Sequence, residues 1–189
     1  MIDEYPEIAL ERFDKANIWI KYIISQIRNF MQDQILEVGA GCGSFTKSYM
    51  EKFKSITLTD LDNNSVKLLN KNFSKYQNIK ILSKATSEID KTFNTIIYFN
   101  VLEHVKDDIA EINSAIERLN VGGYLIILVP AHQKIYSKLD KAVGHYKRYD
   151  IDFFRNNKFK NSKIVRLRFL DFFGYFLYHF NKIFFKEEV

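Results

Sequence analysis

The chain has 189 residues, about one domain's worth, with hydrophobic residues at 47% and charged ones at 27%, the balance of an ordinary globular protein. Its net charge of +5 is spread along the chain rather than gathered into a Lys/Arg block, so no specific nucleic-acid partner is expected and the basic surface reads as solvated. Cys42 is the only cysteine, which excludes an intrachain disulfide and a cysteine-rich zinc site, fits a reducing, cytoplasmic setting, and leaves no metal expected.

The N-terminal stretch MIDEYPEIALERF is charged and lacks the apolar core of a signal peptide. No run of about 18 uncharged apolar residues follows it, so no transmembrane span is expected. With no repeat or Pro/Gly/Ser linker, residues 1–189 read as a single domain: an N-terminal helical segment over 1–30, a substrate-side loop and helix over 131–160, and an aromatic tail over 171–189.

In the first segment Ile8, Phe13, Ile18, Trp19, Tyr22, Ile23 and Ile27 recur at mostly three- and four-residue spacing, as in one or two amphipathic helices, with Trp19 assigned to the core. A first strand is predicted over Gln34 to Val38, leading through Gly39, Gly41 and Gly43 into a helix from Ser44 to about Phe53. A β-branched and aliphatic run ending in Gly-x-Gly-x-Gly suits a parallel strand that turns sharply and lets a ligand touch bare backbone. The free N–H groups of the following helix would point at that ligand.

Ser55 to Thr59 reads as a second strand ending on Asp60, with a helix over Asn63 to Phe73 burying Val66, Leu68, Leu69 and Phe73. Asp60 can accept both hydroxyls of a ribose, or cap the following helix. A third strand spans Ile79 to Leu82, a fourth Asn94 to Phe99, a helix Asp107 to Leu119, and a fifth strand Gly123 to Val129, stopped by Pro130. The alternation predicts an α/β fold, a Rossmann-like doubly wound, mostly parallel sheet with helices on both faces.

A dinucleotide fingerprint would place glycine at Ser44 and needs no carboxylate at Glu37, which argues against NAD. EVGAGCG, LTDLD, FNTIIYFNVLEHVKDD and GGYLIILVP, taken in order over about residues 34–130, closely resemble the motifs of class I S-adenosylmethionine-dependent methyltransferases. The resemblance implies S-adenosyl-L-methionine as cofactor. It implies that Glu37, Gly39, Ala40, Gly41 and Gly43 border the methionine portion, that Asp60 holds the ribose with Leu61 against the adenine, and that Asn100 and Val101 lie under the sulfonium. Relatives often carry an acidic residue where this chain has Ala85 and an Asp where it has Asn94. Thr86 could offer its hydroxyl to the adenine or only cap a turn.

Cys42 reads as a small apolar filler within the turn. Residues 144–149, Gly-His-Tyr-Lys-Arg-Tyr, resemble a segment found after the fifth strand in one subset of these enzymes. There His132 and His145, with His104 from the motif after the fourth strand, are candidate bases, since a neutral imidazole can take a proton near pH 7. Arg148 with Lys147 could clamp an anionic group, and Tyr146, Arg148 and Tyr149 are the candidate substrate contacts.

The resemblance implies a sixth and an antiparallel seventh strand at the end of the sheet; Asn161 to Leu170 reads as the sixth and no convincing seventh is visible, so either the sheet lacks that last antiparallel strand or the aromatic segment replaces it. The tail from 171 could lie on a membrane, bind a lipid acceptor, form a dimer, or pack on its own sheet. The implied activity is methyl transfer to a small-molecule, glycan or lipid acceptor, with O-methylation favoured. The alternative is a non-catalytic cofactor-binding or scaffold protein.

Overall fold

In the computed structural model, which describes residues 17–170, the apolar run Ile35–Val38 forms β1, the central strand of a five-stranded sheet. β2 (Ile56–Thr59), β3 (Ile79–Leu82), β4 (Phe93–Phe99) and β5 (Leu119–Leu128) complete it in the order β3-β2-β1-β4-β5, with every pairing parallel. The chain winds outward from β1 to β3 and then returns to start again at β4. The order therefore reverses between β1 and β4, where doubly wound sheets open a crevice at their carboxyl ends.

All four residues of β1 are buried, as a strand covered on both faces requires. Ile35 joins Ile56, Leu58, Ile97 and Phe99 in one layer, which α1 (Asn17–Ile27) covers with Ile20, Ile23 and Ile24 and α2 (Asn63–Phe73) covers with Leu69 and Phe73. Leu36 and Val38 join Ile96 and Tyr98 in the other layer, under Ile112 and Ala115 of α3 (Asp108–Glu117) and Phe153 and Phe154 of α5 (Ile151–Asn156). Each fully buried Leu, Ile, Val or Phe among them contributes roughly 1.5–3 kcal/mol by leaving water. The short helix α4 (Lys138–Ala142) lies in the loop after β5.

Several expectations are corrected. Ile18 and Tyr22 are exposed, and Ile20, Ile23 and Ile24 form the buried stripe of α1 instead. Trp19 packs against the core but also reaches a cavity beside β5. Ile8 and Phe13 lie outside the described residues.

The expected helix from Ser44 to Phe53 is replaced by two 3-10 turns, Thr46–Ser48 and Met50–Lys52, broken at Tyr49 (φ −131°). The cause is polar: the Thr46 and Tyr49 hydroxyls both donate to the buried Glu37 carboxylate, and a regular helix yields to that attachment. β5 starts earlier than expected because Leu119 pairs with Phe93 before a register irregularity, and Tyr124 then pairs with Thr95. Gly123 lies against the Asn94 carbonyl, where a Cβ would come within 2.9 Å.

Residues 161–170 form no strand. Arg166 donates to the Gln26 carbonyl and Arg168 to the Gln26 side chain, so this segment is tied to α1 through side chains rather than through a backbone ladder. No seventh strand occurs among the described residues, and the tail from 171 lies outside them.

The glycine turn is closed by packing. Gly43 has φ +78°, and a Cβ there would sit 2.1 Å from the Phe73 ring of α2. Gly43→Ala is therefore expected to destabilise the fold by about 2–3 kcal/mol, from positive-φ strain and overpacking together. Urea denaturation at neutral pH measures it.

Candidate functional site

The carboxyl ends of β1, β2 and β4 hold the turn residues. Gly39, Gly41 and Gly43 all have positive φ (63°, 58° and 78°), and Asn100 after β4 also takes a left-handed conformation (φ 54°). A Cβ on Gly39 would meet the Val101 side chain at 2.6 Å, so the segments after β1 and β4 touch at this point. The Ala40 N–H donates to the Thr59 carbonyl (3.0 Å) and the Asn100 N–H to the Leu128 carbonyl (2.9 Å), extending the ladder past the strands.

Asp60 ends β2. One of its oxygens accepts from the Gly41 N–H (2.8 Å) and the other from the Asp62 N–H (2.9 Å). It does not cap α2; Asp62 does, accepting from the Ser65 N–H (2.8 Å). An ionised carboxylate has about four acceptor positions, so Asp60 keeps capacity for two further hydroxyls while fixing the turn. Burial raises its pKa against these hydrogen bonds. Beside it Leu61 is 68% exposed, an apolar side chain standing where a flat aromatic group could cover it.

Glu37, by contrast, is sealed: it is buried and accepts from Thr46 Oγ1 (2.7 Å) and the Tyr49 hydroxyl (2.5 Å). Thr86 is also turned inward, its hydroxyl 3.1 Å from that of Tyr98, which donates to Glu111 of α3. Asn94 lies at the opposite end of the sheet from the turn and pairs with Asn120 (2.7 Å). Cys42 Sγ lies 3.1 Å from Ser44 Oγ.

The 131–149 segment folds back onto the loop after β4. Asp140, buried at the start of that fold-back, accepts from Ser137, from Arg148 Nε (2.8 Å) and pairs with His145 Nδ1 (2.9 Å). Despite the cost of burial, these partners hold its carboxyl down at about 2. Lys147 forms a 2.6 Å ion pair with the buried Asp108, whose carboxylate also accepts from the Tyr149 hydroxyl (2.7 Å). Tyr146 is 60% exposed, but its N–H donates to the Glu103 carbonyl (2.7 Å).

The three candidate histidines separate into two places. His104 and His145 meet edge to face with ring centroids 4.8 Å apart, and burial together with His145 lowers the His104 pKa. His132 (φ 66°) stacks on Phe169 (4.5 Å) in the wall of a cavity of about 490 Å³, which it shares with Asn100, Arg148, Tyr149 and Trp19.

A family model described as a methyltransferase domain matches residues 8–166. The chain belongs to this family, the class I S-adenosylmethionine-dependent methyltransferases. Over 132 residues, 62% of this chain and 3% of the relative, it is 32% identical to the hybrid PKS-NRPS synthetase tasS of Hapsidospora irregularis. Over 73 residues, 39% of this chain and 28% of the relative, it is 37% identical to ribosomal RNA small subunit methyltransferase A of Wigglesworthia glossinidia brevipalpis. The chain thus spans only a small part of the length of these curated relatives.

Among solved structures, N-methyltransferase NodS from Bradyrhizobium japonicum WM9 matches with a TM-score of 0.56 at 17% identity, over 78% of this chain and 72% of that one. A methyltransferase from Clostridium acetobutylicum ATCC 824 matches with a TM-score of 0.51 at 21% identity, over 58% of this chain and 48% of that one. These likenesses show the fold.

The methyltransferase turn was legible as a motif, but its supports were not. Thr46 and Tyr49 gave no sign of anchoring Glu37, although their spacing of three places both on one side of a helical turn. Asp140 could have been found from Ser137, three residues before it, as half of a capping box.

Burial raises the Glu37 pKa from 4.5 to about 7, against the Tyr49 and Thr46 hydrogen bonds that lower it. The folded state then holds this proton where the unfolded chain has lost it. The associated stability is fully present below pH 4.5, declines as pH rises and is lost by about pH 7. It amounts to about 3 kcal/mol at most. Glu37→Gln, which keeps an acceptor for both hydroxyls, should flatten the fall in stability between pH 5 and pH 7.5, measured by denaturant titration at each pH.

Proposed function

We propose that this chain binds S-adenosylmethionine across the Gly39–Gly43 turn and directs methyl transfer to a small-molecule, glycan or lipid acceptor in the cavity beside Asn100, with oxygen favoured as the methylated atom. The observation that carries the reading is the junction of that turn with Asp60, Leu61 and Asn100 at the sheet's switch point. The residues fit the cofactor. The turn presents backbone where a Cβ at Gly39 has no room, Asp60 retains acceptor capacity, and Leu61 offers an exposed apolar face. NodS, a fold neighbour, was crystallised with S-adenosyl-L-homocysteine.

When bound, the cofactor supplies a methyl group already activated on a sulfonium. Asp60 would hold the ribose hydroxyls, Leu61 would cover the adenine, and Gly39 with Ala40 and Gly41 would line the methionine portion. Glu37 would act from beneath, fixing the turn through Thr46 and Tyr49 rather than exposing its own oxygens. Thr86, hydrogen-bonded inward, is assigned to the turn and not to the adenine.

The chain's main contribution to rate would be alignment and exclusion of water. In favourable intramolecular systems alignment is worth up to about 7–11 kcal/mol. His132 is the base we assign for a hydroxyl acceptor, because it is the histidine in the cavity wall with Asn100. Arg148 and Tyr149 line the same cavity and would orient the acceptor, while Tyr146 lies on the outer side of their loop. A basic nucleic-acid groove gains no support from the site, whose strand-end sequence is Asn100-Val-Leu-Glu rather than a base-gripping Pro-Pro pair.

Calorimetry with S-adenosyl-L-homocysteine tests the reading. The wild-type chain should bind it, Asp60→Ala should weaken binding about 10- to 100-fold through the lost charge-assisted hydrogen bonds, and Cys42→Ala should stay within about threefold of wild type. Equal affinities for the two variants would show the ribose to be elsewhere, and no heat with the wild type would favour a scaffold role.

A further inference from the structure

Behind the proposed acceptor cavity, Glu103 is fully buried at 0% exposure and neither carboxylate oxygen has a hydrogen-bond partner. An ionised carboxylate left so is among the most expensive arrangements a protein can contain, and unless neutralised by a proton it calls for a cation. Arg148 is engaged by Asp140 and makes no hydrogen bond to this carboxylate.

The neighbours of that carboxylate are metal-binding groups. One ligand atom from each of Glu103, His104 and His145 lies within 4.8 Å of the other two. We infer that Glu103, His104 and His145 form a site for one divalent ion of the zinc class, joining the loop after β4 to the 144–149 segment. Two imidazoles and a carboxylate are a donor set suited to such ions.

The surroundings resemble a prepared outer shell. Asp140 Oδ1 holds Nδ1 of His145, which leaves Nε2 as its donor atom. Histidines that bind metal commonly have their second nitrogen fixed by a carboxylate or a carbonyl in this way. Tetrahedral ligands sit ~3.3 Å apart at ordinary zinc distances, so small side-chain rotations would draw the three donors together. The fourth position would be left to water.

The site does not depend on S-adenosylmethionine, so it is tested without it. Purified chain is stripped with chelator, titrated with zinc chloride against a chromogenic chelator, and loaded with cobalt(II) for its visible spectrum. The expected result is one equivalent of zinc and a cobalt spectrum of four-coordinate intensity. Glu103→Gln, which keeps the buried shape, and His145→Ala, at a partly exposed position, should each weaken zinc binding at least about 100-fold, and Asp140→Asn about 10- to 100-fold. Cys42→Ala and His132→Ala should leave it unchanged. Absence of stoichiometric zinc in the wild type overturns the inference. So does zinc binding that survives Glu103→Gln and His145→Ala, or that is lost with Cys42→Ala or His132→Ala.

Discussion

Two strand ends meet in this protein with no room for a methyl group between them. Gly39 after β1 lies against the Val101 side chain after β4, and an added Cβ would stand 2.6 Å from a methyl carbon. That approach brings the ends of the two halves of the sheet together at the point where strand order reverses. The features above it follow from the closeness: a bare-backbone turn, a left-handed Asn100, and a cavity that begins where the two meet.

Four buried carboxylates, Glu37, Glu103, Asp108 and Asp140, differ in what they are given. Glu37 receives two hydroxyls, and its pKa is raised because hydroxyls compensate burial only in part. Asp108 receives a lysine and a tyrosine, and Asp140 receives an arginine, a histidine and a serine, enough to keep it ionised. Glu103 receives none. Removing one partner from a buried charge typically costs about 3–5 kcal/mol. The 131–149 loop is thereby bound to the rest of the protein by electrostatics rather than by apolar contact alone.

Much of the fold could be read directly from the chain. β-branched runs such as Ile35–Val38 and Ile79–Leu82 announced their strands, and Asn63–Phe73 announced its helix through apolar spacing. Two of the misreadings share a cause: side-chain hydrogen bonds to residues outside the local helical or strand repeat carry no periodic signal. Ser44 to Phe53 has helical spacing, yet Thr46 and Tyr49 reach back to Glu37 and the helix breaks. Residues 161–170 have strand-like composition, yet Arg166 and Arg168 reach a glutamine about 140 residues earlier. Gly39, Gly41, Gly43 and Asn100 stand at positive φ, a backbone conformation that favours those residue types, and the sequence shows them for that reason. Glu103 was not legible, because only the folded arrangement leaves it without a partner.

Asp140 sets how the loop can move. One buried carboxylate joins Ser137, His145 and Arg148, so these positions cannot loosen one at a time without stranding a charge. The segment from Ser137 to Tyr149 is therefore a single cooperative unit of local unfolding, closed in full or released in full. Its amides would share one opening free energy, each exchanging at its own intrinsic rate scaled by that opening.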